Sequence, residues 1–365
     1  MLSVILALGS ASAAKVAHGC RPSTNATVRS AAITQAGGLR AKNASFCARC
    51  TLPGETSPRC VSAMHASPKG SGGVNFFLQE PDHEVGIVNL FLTLLALRRY
   101  PQRRPVFFDI GMNSGFFSNL MAAQGAEVHA FETQPKCFEY ASSALAAGGR
   151  WPAVYDGSSS EQATAPSVFL YNAGLTDKAG TITQSTLGCD GSNRALTQVS
   201  SSLKHIKAWG GGQKRVPTFV VDDSMQAECA PHIFAIKMDT EGAEIKILRG
   251  MQRLLATRKV ANLVVEILPP NWVHYGVSLA EGAHVLSTLS TLGFKAYLMW
   301  DVRHDREGLP LAGTGPDLAP DAHPAGARCK GSSATLRPIV DWDALVSERV
   351  EHRAGGNIWF TRQFS

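Results

Sequence analysis

Four carboxylates stand where short apolar runs give way to turns. They are Asp109 in Val106–Ile110, Glu132 after Val128–Phe131, Asp239 after Ile233–Met238 and Glu266 in Leu263–Ile267. Read as strands of one parallel sheet, these runs bring all four acids to carboxyl ends, the side on which open α/β sheets bind ligands. One acid at a strand end is unremarkable. Four at successive ends describe an acid-lined crevice, suited to a ligand with hydroxyls and a positive centre rather than a bare polyphosphate.

The first acid opens the turn Asp109-Ile110-Gly111-Met112-Asn113-Ser114-Gly115. Glycines at a strand-to-helix turn let a ligand approach the backbone, and the helix start offers free N–H groups. Glu132 follows Gly111 by 21 residues, where a doubly wound nucleotide site places the acid for ribose hydroxyls. A dinucleotide fingerprint would need glycine where Asn113 stands, which ranks an NAD-linked oxidoreductase second. A non-catalytic secreted binding protein ranks third, because Asp109 and Glu132 are intact.

Asp239 is the first candidate to face an acceptor, as base or orienter, and Glu241 is the second. Glu241 also has a structural reading: Thr240 as an N-cap would put Glu241 and Glu244 in a first helical turn, where the dipole favours acids. Lys237 lies on the opposite strand face from Ile236 and Met238, so its default role is a salt bridge. Glu266 either orients substrate or caps a loop.

The elements that must position these groups alternate. Beyond the strands above, Phe116–Met121, Pro135–Ala147, Gly242–Ala256 and Leu279–Leu292 read as helices. Val168–Leu175, Val216–Val221, Phe294–Trp300 and Asn357–Thr361 read as further strands. Val85–Leu97 is a 13-residue apolar run that ends before Pro101, the length of a core helix and too short for a membrane span. Strands alternating with helices of this length define a doubly wound α/β sheet. Arg303–Pro338 is long, turn-rich and aperiodic, the kind of loop that is functional or disordered.

Charge is segregated. Residues 1–75 hold eight basic residues and one acid, Glu55, while 27 basic and 28 acidic residues nearly balance over the rest. The body therefore lacks the basic face of a nucleic-acid binder. Met1–Ala14 has a short apolar core and the small residues Ala11-Ser12-Ala13 of a cleavable signal. Asn25-Ala26-Thr27 and Asn43-Ala44-Ser45 are N-glycosylation acceptors. Secretory entry, with no stable membrane span after processing, is the first expectation. An organelle transit peptide, suited by the acid-free, Arg-containing residues 1–54, or a cytoplasmic address is the second. Residues 15–79 read as a cysteine-containing stem or linker and residues 80–365 as the folded domain. Cys47-x-x-Cys50 with Cys60 lacks a fourth zinc ligand, so no metal is expected. In an oxidising lumen Cys20, Cys47, Cys50 and Cys60 would pair among themselves, and Cys137 reads as a buried thiol.

Together, FFDIGMNSGFFS (107–118), AFETQP (130–135), VVDD (220–223), IKMDTEGAEIKILRG (236–250), LVVEI (263–267) and NIWF (357–360) resemble the FkbM-type methyltransferases. These are a branch of the S-adenosylmethionine-dependent Rossmann-like enzymes, and the resemblance runs from about Val106 to Phe360. It implies a seven-stranded sheet with the last strand antiparallel, S-adenosyl-L-methionine as cofactor, and O-methylation of a hydroxylated small molecule or glycan. It also implies that Asp109, Gly111, Asn113 and Gly115 hold the methionine part, and Glu132 the ribose hydroxyls. The chain departs from the family at Thr133, where proline is usual, and at Ala144–Gly149, which replace an Asn-containing stretch. Asp156 or Asp177 is left to serve the adenine side.

Overall fold

The computed structural model describes residues 85–96, 103–147, 168–185, 213–224, 232–300, 339–352 and 355–362. It also describes Cys189 and the backbone of short strands at 29–30, 39–47, 50–51, 60–68, 153–155, 328–329 and 335–338. Seven strands make the centre of one sheet: β1 (Val106–Ile110), β2 (Glu127–Phe131), β3 (Val168–Tyr171), β4 (Ile233–Met238), β5 (Val260–Ile267), β6 (Lys295–Trp300) and β7 (Gly356–Thr361). They lie in the order β3-β2-β1-β4-β5-β7-β6. The strands β3, β2, β1, β4 and β5 run parallel, and β7 is antiparallel to both β5 and β6. The expected seven-stranded mixed sheet with an antiparallel last strand is what forms. Short strands extend it at both edges: Ala153–Tyr155 and then Arg29–Ser30 beyond β3, and Thr335–Pro338 beyond β6.

Both faces of this sheet are covered, which is why its strands read as nearly continuous apolar runs. On β1, Val106, Phe108 and Ile110 join one core with Ile236, Met238, Leu263 and Leu286, while Phe107 turns into the other with Leu120, Ala130 and Trp359. Helix α1 (Val85–Ala96) belongs to the second core, where Phe91 meets Phe107 and Phe117 edge-on at 5.3 and 5.9 Å. That face also carries α2 (Phe116–Ala123) and α3 (Pro135–Ala147). The first core is closed by α4 (Glu244–Arg249), α5 (Gln252–Ala256), α6 (Leu279–Thr291) and α7 (Trp342–Glu351).

Four details depart from the sequence reading, the first being that Gly242–Ala256 forms two helices, α4 and α5. Val168–Leu175 is two strands, because the chain turns at Asn172, whose side-chain amide donates to the Glu132 carbonyl at 2.9 Å. The Val216–Val221 run does not enter the main sheet. Gln213–Phe219 instead pairs antiparallel with Gly180–Ser185 and parallel with Gly174–Leu175 in a small separate sheet. The Arg303–Pro338 stretch is not wholly aperiodic, since Thr335–Pro338 pairs with β6 and Arg328–Cys329 with Cys50–Thr51.

Within the stretch read as a stem, Leu39–Cys47 and Cys60–Pro68 form an antiparallel pair, with Cys47 opposite Cys60 in the register. The possible signal Met1–Ala14, and how Cys20, Cys47, Cys50 and Cys60 pair, lie outside the described residues. Among the described residues, no helix is long and apolar enough to cross a membrane, and no cluster of His, Cys, Asp and Glu is arranged to hold a metal ion.

A candidate cofactor and acceptor crevice

The ends of β1, β2 and β4 build the crevice. The turn after β1 folds over the neighbouring strands: the N–H groups of Gly111 and Met112 both donate to the Phe131 carbonyl, at 2.9 and 3.0 Å. Gly111 has φ 80, and a Cβ there would stand 1.8 Å from the Asp239 carbonyl oxygen. Glycine is therefore required both by conformation and by the close approach of β4. Gly115, at φ 81, precedes α2 and packs so near α3 that an added Cβ would lie 2.9 Å from the Ala141 methyl. Asn113 also takes a left-handed conformation, φ 52, which aims its N–H at Glu132 Oε2, 2.9 Å away.

Asp109 is buried to 1% exposure. Its Oδ2 accepts from the Ser118 hydroxyl at 2.6 Å, while its Oδ1 has no hydrogen-bond partner among the described residues. Burial raises its pKa, opposed by the charge of Lys237. Glu132 is likewise buried and is pushed up to about 7, even though Gln134 N–H and Asn113 N–H both donate to it. Buried carboxyls held this way gain from a cationic, hydroxyl-bearing ligand that completes their hydrogen bonds. An orphaned Asp109 oxygen beside a glycine cradle, with a carboxylate on the next strand, fits the methionine and ribose parts of S-adenosylmethionine.

On β4, Lys237 Nζ meets Asp239 Oδ2 at 2.8 Å and lies 4.7 Å from the centre of the Phe117 ring. The register sets Lys237 beside Asp109 on β1. The salt-bridge role expected for Lys237 is present, but its partner is the first catalytic candidate, so the lysine belongs to the crevice. The i, i+2 spacing along β4 was the signal for this.

Thr240 does not cap a helix. The helical turns begin at Glu244, and Thr240 Oγ1 has no hydrogen-bond partner among the described residues. Glu241 is thus outside the helix, in a left-handed conformation with φ 58. The reading of Glu241 as an ordinary first-turn acid falls. Burial raises it to about 7, with Asp239 adding and Lys237 opposing. Among the described residues no donor meets its carboxylate. Glu244 holds the turn instead: its Oε1 accepts from Gly242 N–H at 2.6 Å and its Oε2 from the Trp272 indole at 3.1 Å. Fully buried, it is pushed up to about 8. Asn271 donates to the Glu241 carbonyl, and Tyr275 lies against Gly242.

The structure therefore gathers Asp109, Gly111, Asn113, Gly115, Glu132, Asp239 and Glu241 at one edge of the sheet. Glu266 sits one strand further, on β5, opposite Asn357 of β7. Asp177 is held by Arg249, the last residue of α4, and Asp156 lies outside the described residues. Sequence reasoning missed the supports of the turn after β2. Gln184 donates to the Thr133 hydroxyl at 2.8 Å, and Lys214 to Asn172 Oδ1 at 3.0 Å. The signal for the first was Thr133 itself, a hydroxyl where the family usually has proline. Sequence reasoning also took Cys137 for a free thiol, whereas it is disulfide-bonded to Cys189. The partner lies 52 residues away, beyond any local pattern.

This strand order, with a glycine turn after β1 and an acid at the end of β2, is that of the Rossmann-like S-adenosylmethionine-dependent methyltransferases. Residues 109–296, more than half of the chain, match the Methyltransferase FkbM domain, and the chain belongs to that family. It is an S-adenosylmethionine-dependent methyltransferase, in place of the alternative oxidoreductase or binding-protein readings. No curated protein matches it in sequence. Among solved structures it is similar to precorrin-6y C5,15-methyltransferase from Geobacter metallireducens. Identity there is 13%, with 75% of this chain and 88% of that chain covered, at a TM-score of 0.32. It is also similar to the plantazolicin methyltransferase BpumL, at 9% identity, 80% and 91% coverage and a TM-score of 0.30.

Proposed function

We propose that the chain transfers a methyl group to a hydroxyl oxygen of a hydroxylated small molecule or glycan, with Glu241 as the base. The observation that carries this is the Glu241 carboxyl at the crevice. It is held in a strained left-handed turn, is met by no donor among the described residues, and is tuned to about 7. A general base is most effective when its pKa lies near the working pH, and backbone strain concentrates where position matters for function. Asp239, paired with Lys237, is the weaker base and the better orienter of an acceptor hydroxyl.

Bound S-adenosylmethionine supplies an electrophilic methyl on a sulfonium, whose departure needs no proton. The chain's own groups do the rest. Asp109 Oδ1 and the turn at Gly111, Asn113 and Gly115 would hold the methionine end, and Glu132 the ribose hydroxyls. Asp239 would align the acceptor oxygen, and Glu241 would take its proton as the new bond forms. Glu244 keeps the turn that carries Glu241 in place through Gly242 and Trp272.

A secretory address is part of the proposal. Met1–Ala14, the acceptors at Asn25 and Asn43, and a disulfide within the body support it, since disulfides persist in oxidising compartments. The test of the reaction is methyl transfer from labelled S-adenosylmethionine to a panel of polyols, sugars and glycans. Glu241→Gln is expected to lower kcat by about a hundredfold or more while leaving cofactor affinity unchanged. Transfer to nitrogen or carbon acceptors only, or undiminished kcat in Glu241→Gln, would overturn it.

A further inference from the structure

The Cys137–Cys189 bond lies against the cofactor crevice although the chemistry makes no use of it. Cys137 is in the first turn of α3, directly after the β2 turn that carries Glu132. Cys189 comes from the connection between Gly180–Ser185 and Gln213–Phe219, and both residues are buried. The amide oxygen of Asn113 faces the two sulfurs, 3.1 Å from Cys189 Sγ and 3.6 Å from Cys137 Sγ. Asn113 is also the residue whose left-handed backbone presents its N–H to Glu132. A continuous chain therefore runs from the disulfide through Asn113 to Glu132.

We propose that Cys137 and Cys189 are positioning residues for the cofactor site, and that only the oxidised pair gives full affinity. The inference rests on the cofactor placement given above. As two thiols, each sulfur carries a proton that it can donate, and the Asn113 amide oxygen is the acceptor within reach. Oxidation by a disulfide-bearing oxidant joins the sulfurs. Two protons and two electrons leave, and the oxidant is reduced to two thiols. The amide oxygen of Asn113 then has no S–H donor, so the amide is available to the cofactor. At the same time the covalent link ties Cys189 to the first turn of α3 beside Asn113. Reduction reverses both effects.

The experiment is calorimetric titration of the full chain with S-adenosylhomocysteine, after peptide mapping of the non-reduced protein. The map should show Cys137 linked to Cys189. Oxidised wild type should bind about five- to tenfold more tightly than protein reduced with a phosphine, the worth of about one neutral hydrogen bond. Cys137→Ser/Cys189→Ser, whose hydroxyls donate permanently, should match the reduced wild type and no longer respond to phosphine. Cys137→Ala/Cys189→Ala removes both donors and the link, and should fall between the two levels. If the serine variant does not fold, reduction and reoxidation of wild type decide alone. Equal affinity in the two states, or a map with other partners for these cysteines, overturns the proposal. If binding is equal in the two states and also indifferent to Asp109→Asn, the cofactor placement itself fails.

Discussion

Lys237, near the end of β4, and Asp239, just beyond that end, meet at 2.8 Å with the lysine buried. A buried cation thus lies among acids at the ends of two adjacent strands, since Lys237 is also beside Asp109 and opposes the rise of Glu241. Removing one partner of such a pair leaves an uncompensated buried charge. Lys237→Met is therefore expected to raise the pKa of Glu241 further. The acid limb of the kcat–pH profile should move to higher pH, which rate measurements across the neutral range would detect. An unmoved limb would separate Lys237 from the acceptor side.

Asp109→Asn and Glu132→Gln should each weaken S-adenosylmethionine binding about ten- to a hundredfold, the loss of one charge-assisted hydrogen bond. Their effects on the unliganded protein should differ. Asp109 has one free oxygen and one facing a hydroxyl that can turn to accept, so the amide fits and the melting temperature should hold. Both Glu132 oxygens accept backbone N–H groups, so a glutamine turns its amide NH2, itself a donor, toward one of those N–H groups. Glu132→Gln should lose about 1 kcal/mol of stability. Isothermal titration and thermal melts check both, and wild-type affinity in Asp109→Asn would remove that residue from the site.

Gly111→Ala should be worse than either. Its methyl would collide with the Asp239 carbonyl at a backbone angle that alanine resists. A loss of about 2 kcal/mol or more is expected, with cofactor binding abolished. Denaturant unfolding reads the first and titration the second.

The architecture was legible because parallel strands buried on both faces and amphipathic helices leave strong local patterns. The β1 turn and Glu132 were legible for a different reason: their chemistry dictates residue types at fixed spacing. Longer-range relations were not. Val216–Val221 looks like any other apolar strand, and what keeps it out of the main sheet is the pairing of Gln213–Phe219 with Gly180–Ser185 and Gly174–Leu175. Thr240 followed by acids imitates a helix start. The left-handed turn at Glu241 displaces that start by three residues, and Glu244 stabilises the turn through a tryptophan 28 residues away. No local pattern holds such a contact.

Three glutamates, Glu132 and Glu244 buried and Glu241 half-buried, make stability depend on pH in a defined direction. Glu132 and Glu241 are raised to about 7 and Glu244 to about 8, from an ordinary 4.5. Between those limits the folded chain keeps protons that the unfolded chain has released. Stability contributed by these groups is therefore present at low pH and lost as pH rises toward 8. The melting temperature of the cofactor-free protein should fall from about pH 5.5 to about pH 8, and Glu241→Gln should flatten the fall. Melting temperatures that rise across this window would contradict the raised values.

Glu241 gives the sharpest separation of function from stability. Its φ of 58 is strained for any residue with a Cβ, at a cost of about 1–2 kcal/mol. Glu241→Ala and Glu241→Gly both remove the carboxyl and its burial penalty, but only glycine relieves the backbone. Glycine also loses more chain entropy on folding, roughly 0.5–1 kcal/mol relative to alanine. The glycine variant should still be the more stable of the two, by about 0.5–1 kcal/mol, in denaturant unfolding. Both should bind S-adenosylmethionine like wild type, and both should lose turnover equally. If alanine equals glycine in stability, the turn is not strained. If either variant keeps wild-type kcat, the proton is taken by another group, and Asp239 becomes the base to test next.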